Sequence, residues 1–339
     1  MTPASPCAGT HPSTLSGRAP TIALREIHYV MGTLLDITLH RESEEKGKRV
    51  LRGCFQEARR LEEIFSTYDN DSDLAQLNRY AGLGPLEITR ELWSVLEISL
   101  RLGRGTEGAL DITVGPLVDL WRAAEEHGAL PSSASVAEAL SLTGISKVRL
   151  LSDGTAELRQ AGMRLDLGGI GKGFAVDRLR AFLIHHGVEH ALINFGRSSL
   201  AAVGAPPERE AWPVRLLGDD EESLGVIHLR DQVLSASSSF GSSFEIEATR
   251  YGHLINPRDG FPLRHPALGV AVARTATEAE ALTKALVILG PEEGFNTVHR
   301  VSMAEGLFTL PYGSMVSTSG FNEAVRFEPA AIISREAIN

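Results

Sequence analysis

The sequence predicts an α+β protein with mixed and antiparallel sheets, packed helices and two intertwined lobes. Three observations carry that expectation. In the first 200 residues, stretches with a 3.6-residue apolar period alternate with strand-like runs. After Gly204 the pattern changes to short period-two segments, several of which read as antiparallel strands. Between these parts, residues 164–173 (Arg-Leu-Asp-Leu-Gly-Gly-Ile-Gly-Lys-Gly) join an apolar strand carrying Asp166 to a glycine cluster and a helix. At 339 residues the chain exceeds the usual single-domain size, which suits two lobes or one large domain with insertions.

Taken in order, residues 1–22 hold Pro3, Pro6, Pro12 and Pro20 among small polar residues and read as a disordered leader without the apolar core of a targeting peptide. The ordered domain is expected over residues 23–328, with 329–339 as a C-terminal tail. Strands are expected at 25–30 and 34–40, joined through Met31, Gly32 and Thr33. Val50, Leu51, Phe55, Ala58, Leu61, Ile64 and Phe65 form one stripe of a helix over 48–65. A short helix at 73–78 and another at 89–103 follow, and Pro116 is placed to start a further helix after Asp111. Phe174, Val176, Leu179, Phe182 and Leu183 give the helix after the glycine cluster, Gly187 its C-terminal cap, and 190–195 the next strand. Period-two segments fall at 212–217, 225–229, 233–236, 251–256 and 268–273. A last clear helix runs from Thr277, through a Thr-x-x-Glu capping box to Glu280, as far as Leu289 before Gly290.

Composition excludes several functions. The net charge of −10 and the lack of a basic stretch interleaved with aromatics argue against nucleic acid. No run approaches the 18 or so apolar residues that cross a bilayer, so no transmembrane segment is expected. Cys7 and Cys54 are too few for a disulfide framework or a thiolate metal site and read as structural or incidental.

The glycine junction is open to two readings, a tight strand-to-helix turn or a phosphate site at a helix start with Lys172 as a mobile charge. It is not a P-loop, because Asp166 stands at the first glycine position and Gly173 follows the lysine. Nor is it the dinucleotide fingerprint, since Gly169-x-Gly171-x-Gly173 lacks the second half.

Several motifs in order resemble the family of flavin transferases named FAD:protein FMN transferase, or ApbE-like, over residues 25–325. They are Met31-Gly32-Thr33, residues 65–68 with 72–78, 108–121, 165–177, Asn194-Phe195-Gly196, 253–262 and 278–290. The resemblance implies an ApbE-like fold with a ligand cleft between the lobes. It also implies a Mg²⁺-dependent enzyme that cleaves the FAD pyrophosphate, attaches FMN to a threonine or serine of a partner protein and releases AMP. By the same resemblance, Met31, Tyr68, Ala109, Leu110, Asp111, Asp166, Lys172 and Ile255 contact FAD. Gly169 offers its carbonyl to the metal, together with Glu280 and either Thr283 or Lys284. His253 and Lys172 are the candidate catalytic residues, the histidine able to exchange a proton near neutral pH. Bland alternatives are a core-edge tyrosine, turn-capping aspartates, a solvated lysine and a strand-end histidine.

The metal helix departs from the family pattern. Relatives typically read Ala-Asp-Ala-Leu-x-Thr, whereas this chain has Glu280 in place of the Asp and Lys284 in place of the Thr. Thr283 lies one residue earlier, about 100° round the helix. Three outcomes are open. Lys284 swings away and a weaker Mg²⁺ remains, its ammonium stands in for the cation, or Glu280 and Lys284 form an ordinary helix salt bridge in a poor flavin binder. Residues 235–240, Ser-Ala-Ser-Ser-Ser-Phe, replace a Ser-Gly-x-Tyr run, and Ser237 to Ser239 read as replacement hydrogen bonds or as a polar turn. Arg197-Ser198-Ser199 also departs from the family, which often has a glycine and an acidic residue after Gly196. FAD hydrolysis to FMN and AMP, and a catalytically impaired flavin-binding protein, are the alternative functions. Relatives often act outside the cytoplasmic membrane, while the leader shows neither a signal peptide nor a lipid-attachment box, which leaves the compartment open with the cytoplasm as default.

Overall fold

In the computed structural model, residues 23–218, 221–310 and 314–330 and the backbone of 335–338 are described. The expected leader, with Cys7, lies outside the described residues. The chain opens with an antiparallel hairpin, β1 (Leu24–Val30) and β2 (Thr33–Leu39). Met31 and Gly32 have φ of 49° and 73°, the left-handed pair that a two-residue hairpin turn matched to strand twist requires.

Helix α1 (Glu44–Phe65) starts earlier than its apolar stripe because Ser43 Oγ accepts from Lys46 N at 3.3 Å, with Glu44 and Glu45 in the first turn. Ser72 caps α2 (Asp73–Arg79), and Thr89 caps α3 (Arg90–Gly105) beyond the short β3 (Leu86–Glu87). Pro116 sits in the first turn of α4 (Gly115–His127), which leads to α5 (Ser133–Ser141). Strands β4 (Val148–Leu150) and β5 (Thr155–Leu158) complete a small sheet of order β3-β5-β4.

Then come α6 (Gly171–His185), β6 (Ala191–Phe195), β7 (Ser199–Val203), β8 (Trp212–Leu217), β9 (Ser223–Leu229) and β10 (Val233–Ser238). The hairpin β11 (Ser243–Ile246) and β12 (Thr249–Gly252) precedes β13 (Leu268–Ala273) and α7 (Ala276–His299). The chain closes with β14 (Glu305–Thr309), β15 (Met315–Thr318), α8 (Phe321–Val325), β16 (Glu328–Pro329) and β17 (Arg335–Ile338). Arg335–Ile338 therefore forms a strand, parallel to β15, within the stretch expected as a tail.

One nine-stranded sheet, ordered β1-β2-β6-β7-β10-β13-β14-β15-β17, organises the molecule. Its middle strands are covered on both faces. Val233, Ala201 and Val203 face a core with α1, α3 and α6, while Leu234, Leu200 and Ala202 face the three-stranded sheet β16-β9-β8 and α8. Ala271 and Ala273 pack on α7. Double-sided cover explains why β7 and β13 are buried along their whole length, without the alternation of a half-exposed strand.

Three local expectations change. The strand expected at 164–167 is not paired in a sheet. Asn78 takes the place of a neighbouring strand, with Nδ2 donating to Leu165 O at 3.0 Å and Oδ1 accepting from Leu165 N at 2.7 Å, while Asp166 N donates to Ile112 O. The run at 251–256 ends as a strand at Gly252, leaving Ile255 a single bridge to Pro262. Helix α7 is capped by Thr275, two residues before the expected box, because Thr277 and the first turn are held by Asp177 of α6. Its carboxylate accepts from Ala276 N at 2.7 Å and from Thr277 N and Oγ1 at 2.9 and 2.5 Å. Gly290, with φ 80°, breaks α7 where the sequence places its end. Among the described residues no helix is long and apolar enough to cross a membrane.

Candidate active site

A cleft of about 1240 Å³ opens where the β1–β2 turn, the loop before α4, the glycine junction, the segment after β12 and α7 meet. Met31, Ala109, Leu110, Asp111, Asp166 and Ile255, all expected nucleotide contacts, line it. So do Gly169, Lys172, His253 and Lys284. Tyr68 does not. Its side chain is 78% exposed, and its hydroxyl accepts from Arg122, one turn beyond Val118 of the cleft wall.

The junction owes its shape to packing as much as to ligand access. A Cβ on Gly173 would stand 2.6 Å from Ala276 O, so only glycine lets the start of α6 press against the start of α7. That contact aims Lys172, in the first turn of α6, at α7. Lys172 Nζ lies 3.8 Å from Glu280 Oε1, which also accepts from Ser199 Oγ at 2.5 Å. Glu280 is fully buried, and its Oε2 has no hydrogen-bond partner.

Lys284 is one turn further along α7 and 8% exposed. Its Nζ donates to Ser237 Oγ at 3.0 Å, and its Cε lies 3.7 Å from where a Cβ on Gly169 would stand. The ion pair on Glu280 comes from Lys172, so the simple Glu280–Lys284 helix bridge is not the arrangement adopted. Burial, opposed by Glu280 and assisted by the Lys172 charge, lowers the Lys284 ammonium to a pKa of about 8.

His253 faces both lysines. Its Nδ1 lies 3.0 Å from Ser242 O. A carbonyl only accepts, so in the neutral ring Nδ1 carries the proton and Nε2 keeps its lone pair. Desolvation in the cleft, opposed by the Ser242 and Ser239 carbonyls and assisted by the Lys284 and Lys172 charges, pulls the His253 pKa below the ordinary 6.5. The two aspartates are anchored turns. Asp111 Oδ1 accepts from Thr113 N and Oγ1 at 2.7 and 2.5 Å, yet burial raises its pKa overall. Asp166 Oδ1 accepts from Gly168 N at 2.7 Å.

Of the expected metal set, Gly169 and Lys284 line the cleft, while Glu280 and Thr283 lie behind its lining. Thr283 Oγ1 donates to Glu280 O and pairs with Ser237 Oγ, beneath the cleft lining. Lys284 has no lone pair while protonated, and its Cε lies beside Gly169 of the junction. Among the described residues no group of three His, Cys, Asp or Glu is placed to hold a metal. The orphaned Glu280 Oε2 does call for a facing cation, and the two ammoniums are the cations present.

Sequence reasoning missed Ser199 and undervalued Ser237. Ser199 follows an atypical Arg-Ser pair and holds Glu280; Ser237, on β10 rather than in a turn, holds Lys284. The signal in the sequence was their joint departure from the family pattern together with Lys284. Cys54 is buried, its thiol pushed up to about 12 by that burial, in keeping with a structural role.

The ApbE family model matches residues 31–308. An FAD:protein FMN transferase of Treponema pallidum (strain Nichols) is 29% identical over 336 residues, covering 94% of this chain and 92% of the relative. One of Escherichia coli (strain K12) is 30% identical over 257 residues, 73% of each chain. The structure of the flavin transferase ApbE from Vibrio cholerae has a TM-score of 0.79 at 22% identity, covering 90% of this chain and 99% of the other. That of the Pseudomonas stutzeri flavinyl transferase ApbE, apo form, also scores 0.79, at 23% identity, over 90% and 97%. Sequence match along most of the chain and the shared fold agree: this protein belongs to the ApbE family.

Proposed function

We propose that the cleft binds FAD and that the protein is a transferase, moving the FMN half to a threonine or serine hydroxyl of an acceptor protein and releasing AMP. The convergence of two ammoniums, Lys172 and Lys284, with a lone-pair-bearing histidine in one cleft carries this reading. The names of the curated relatives support it.

A diphosphate ester needs positive charge against its oxygens, an in-line nucleophile and a proton acceptor. The acceptor oxygen bonds to the flavin-side phosphorus as the bond from that phosphorus to the bridging oxygen breaks. The bridging oxygen and its electron pair leave with AMP, and the hydroxyl proton passes to His253 Nε2. Lys172, in the first turn of α6, neutralises the developing charge. Asp166 Oδ2, opposite the oxygen tied to Gly168, accepts from the nucleotide, while Met31, Ala109, Leu110, Asp111 and Ile255 shape its walls.

Mg²⁺, the cation implied by the family resemblance, supplies phosphate-neutralising charge when bound. Of its expected ligands in this chain, the Gly169 carbonyl and Glu280 carry usable oxygens, while Thr283 and Lys284 do not serve.

The test is incubation with FAD and an acceptor domain, followed by flavin fluorescence of the denatured acceptor. Labelling is expected, and His253→Ala should slow it about 10²- to 10⁴-fold, the usual range for a lost general base, with FAD still bound. An unlabelled acceptor overturns the transfer reading. FMN and AMP formed equally fast without acceptor identify a hydrolase instead.

A further inference from the structure

We propose that the Lys284 ammonium takes the place of a divalent cation against the diphosphate, so that FAD binding and FMN transfer in this protein proceed without added metal. The inference rests on the reading of the cleft as an FAD site. It begins with the position of Lys284 on a helix turn whose other residues, Ala281, Leu282, Thr283, Ala285 and Leu286, are buried. The ammonium reaches the cleft, which Lys284 lines.

Hydrogen-bond directions fix its role. Thr283 Oγ1 donates to Glu280 O at 2.8 Å, so its proton is used. The 2.8 Å contact between Ser237 Oγ and Thr283 Oγ1 therefore runs from the serine to the threonine. Ser237 is left with lone pairs, one of which accepts from Lys284 Nζ. This relay locks Lys284 as the donor at its end and occupies one of its three N–H groups. The other two remain for oxygens in the cleft, beside Gly169. The same relay turns the Thr283 hydroxyl away from a metal.

Charge balance agrees. Glu280 is a single buried carboxylate that faces two ammoniums, Lys172 at 3.8 Å and Lys284 through space. Within this trio one positive charge is left over, and both lysines line the cleft. A divalent cation added beside Gly169 would meet the Lys284 ammonium at close range, whereas a diphosphate would meet two donors already in place.

The experiment titrates FAD into the full chain by flavin fluorescence, in EDTA and in excess Mg²⁺, and follows AMP release with an acceptor domain in both buffers. Wild type should bind and turn over in EDTA, with an affinity within about threefold of that in Mg²⁺. Lys284→Met should weaken FAD binding about 10- to 100-fold in both buffers, as expected for one lost charge-assisted hydrogen bond. Lys284→Thr removes the ammonium and restores an oxygen to that helix face. It should bind FAD poorly in EDTA and recover in Mg²⁺, a rescue that an unfolded variant cannot show. Wild-type binding or turnover that EDTA abolishes and Mg²⁺ restores overturns the inference and leaves the FAD reading standing. So does a folded Lys284→Thr whose binding ignores Mg²⁺. Failure of wild type to bind FAD in either buffer overturns the FAD reading itself, and this inference with it.

Discussion

The glycine junction at residues 168–173 and the middle of α7 at residues 280–284 meet beneath the same cleft, yet each handles its positive charge differently. Lys172 sits at a helix start with its side chain 23% exposed and an ion partner on the neighbouring helix. Lys284 rises from the interior of a helix covered on most sides, 8% exposed, and is held by a serine on a strand of the large sheet. The second arrangement, buried and beside another ammonium, brings the Lys284 ammonium close to losing its proton. A conspicuous glycine cluster thus supplies the conventional charge, and an unremarkable helix supplies the unusual one. The two are tied together by Glu280, whose Oε1 lies 3.8 Å from Lys172 Nζ and whose charge acts on Lys284.

Removing that tie gives the largest expected effect. Glu280→Gln leaves two ammoniums without their shared counter-ion, one of them buried, and should cost about 3–5 kcal/mol of stability, the range for breaking a buried pair. Denaturant unfolding at neutral pH measures it. A loss under about 1 kcal/mol, the worth of an exposed pair, would mean that the two regions are not coupled through this carboxylate.

The helix contact that aims Lys172 comes next. Gly173→Ala drives a Cβ to 2.6 Å from Ala276 O and should cost about 1–3 kcal/mol, as overpacking does. If the contact serves aim as well as packing, flavin affinity falls too. Thermal melting and FAD titration of the same variant separate the two consequences.

A pH profile sharpens the contrast between the lysines with a smaller effect. Lys284, facing Glu280, Lys172 and Ser237, is cationic below its pKa of about 8. FAD affinity should therefore decline as pH rises through 8, by up to about tenfold per unit. His253, facing Ser242 O, Lys284 and Lys172, must be neutral to take a proton. Because its pKa is lowered, the acid limb of the transfer rate should lie below pH 6.5. In Lys284→Met the alkaline limb should vanish and the acid limb move upward, since one charge that opposes protonation is gone. An unchanged acid limb would show that Lys284 and His253 do not sense each other.

Much of this architecture was legible in the sequence where the deciding forces are local. The stripe of α1, the helix at 89–103, Pro116 in the first turn of its helix, the turn glycine at 187 and the strand run at 212–217 each express a preference set within a few residues. The family resemblance named most of the cleft lining in the same way, from short motifs. The apparent capping box at Thr277 misled for a related reason. Thr275-x-x-Glu278 and Thr277-x-x-Glu280 are equivalent as patterns, and only Asp177, 100 residues away, decides between them.

What the chain determined by itself was the order of its helices and strands, the cleft-forming motifs and the presence of an odd lysine in a metal-like helix. Tertiary structure decided what that lysine does. Its partner Ser237 is 47 residues away, and the Ser199 that fixes Glu280 is 81 residues away. Asp166 likewise sits in a segment held by Asn78 instead of by a strand. The physical reason is common to all three. Period and capping report a residue's neighbours along the chain, whereas the burial of a charge and the direction of its hydrogen bonds depend on which distant strand closes over it.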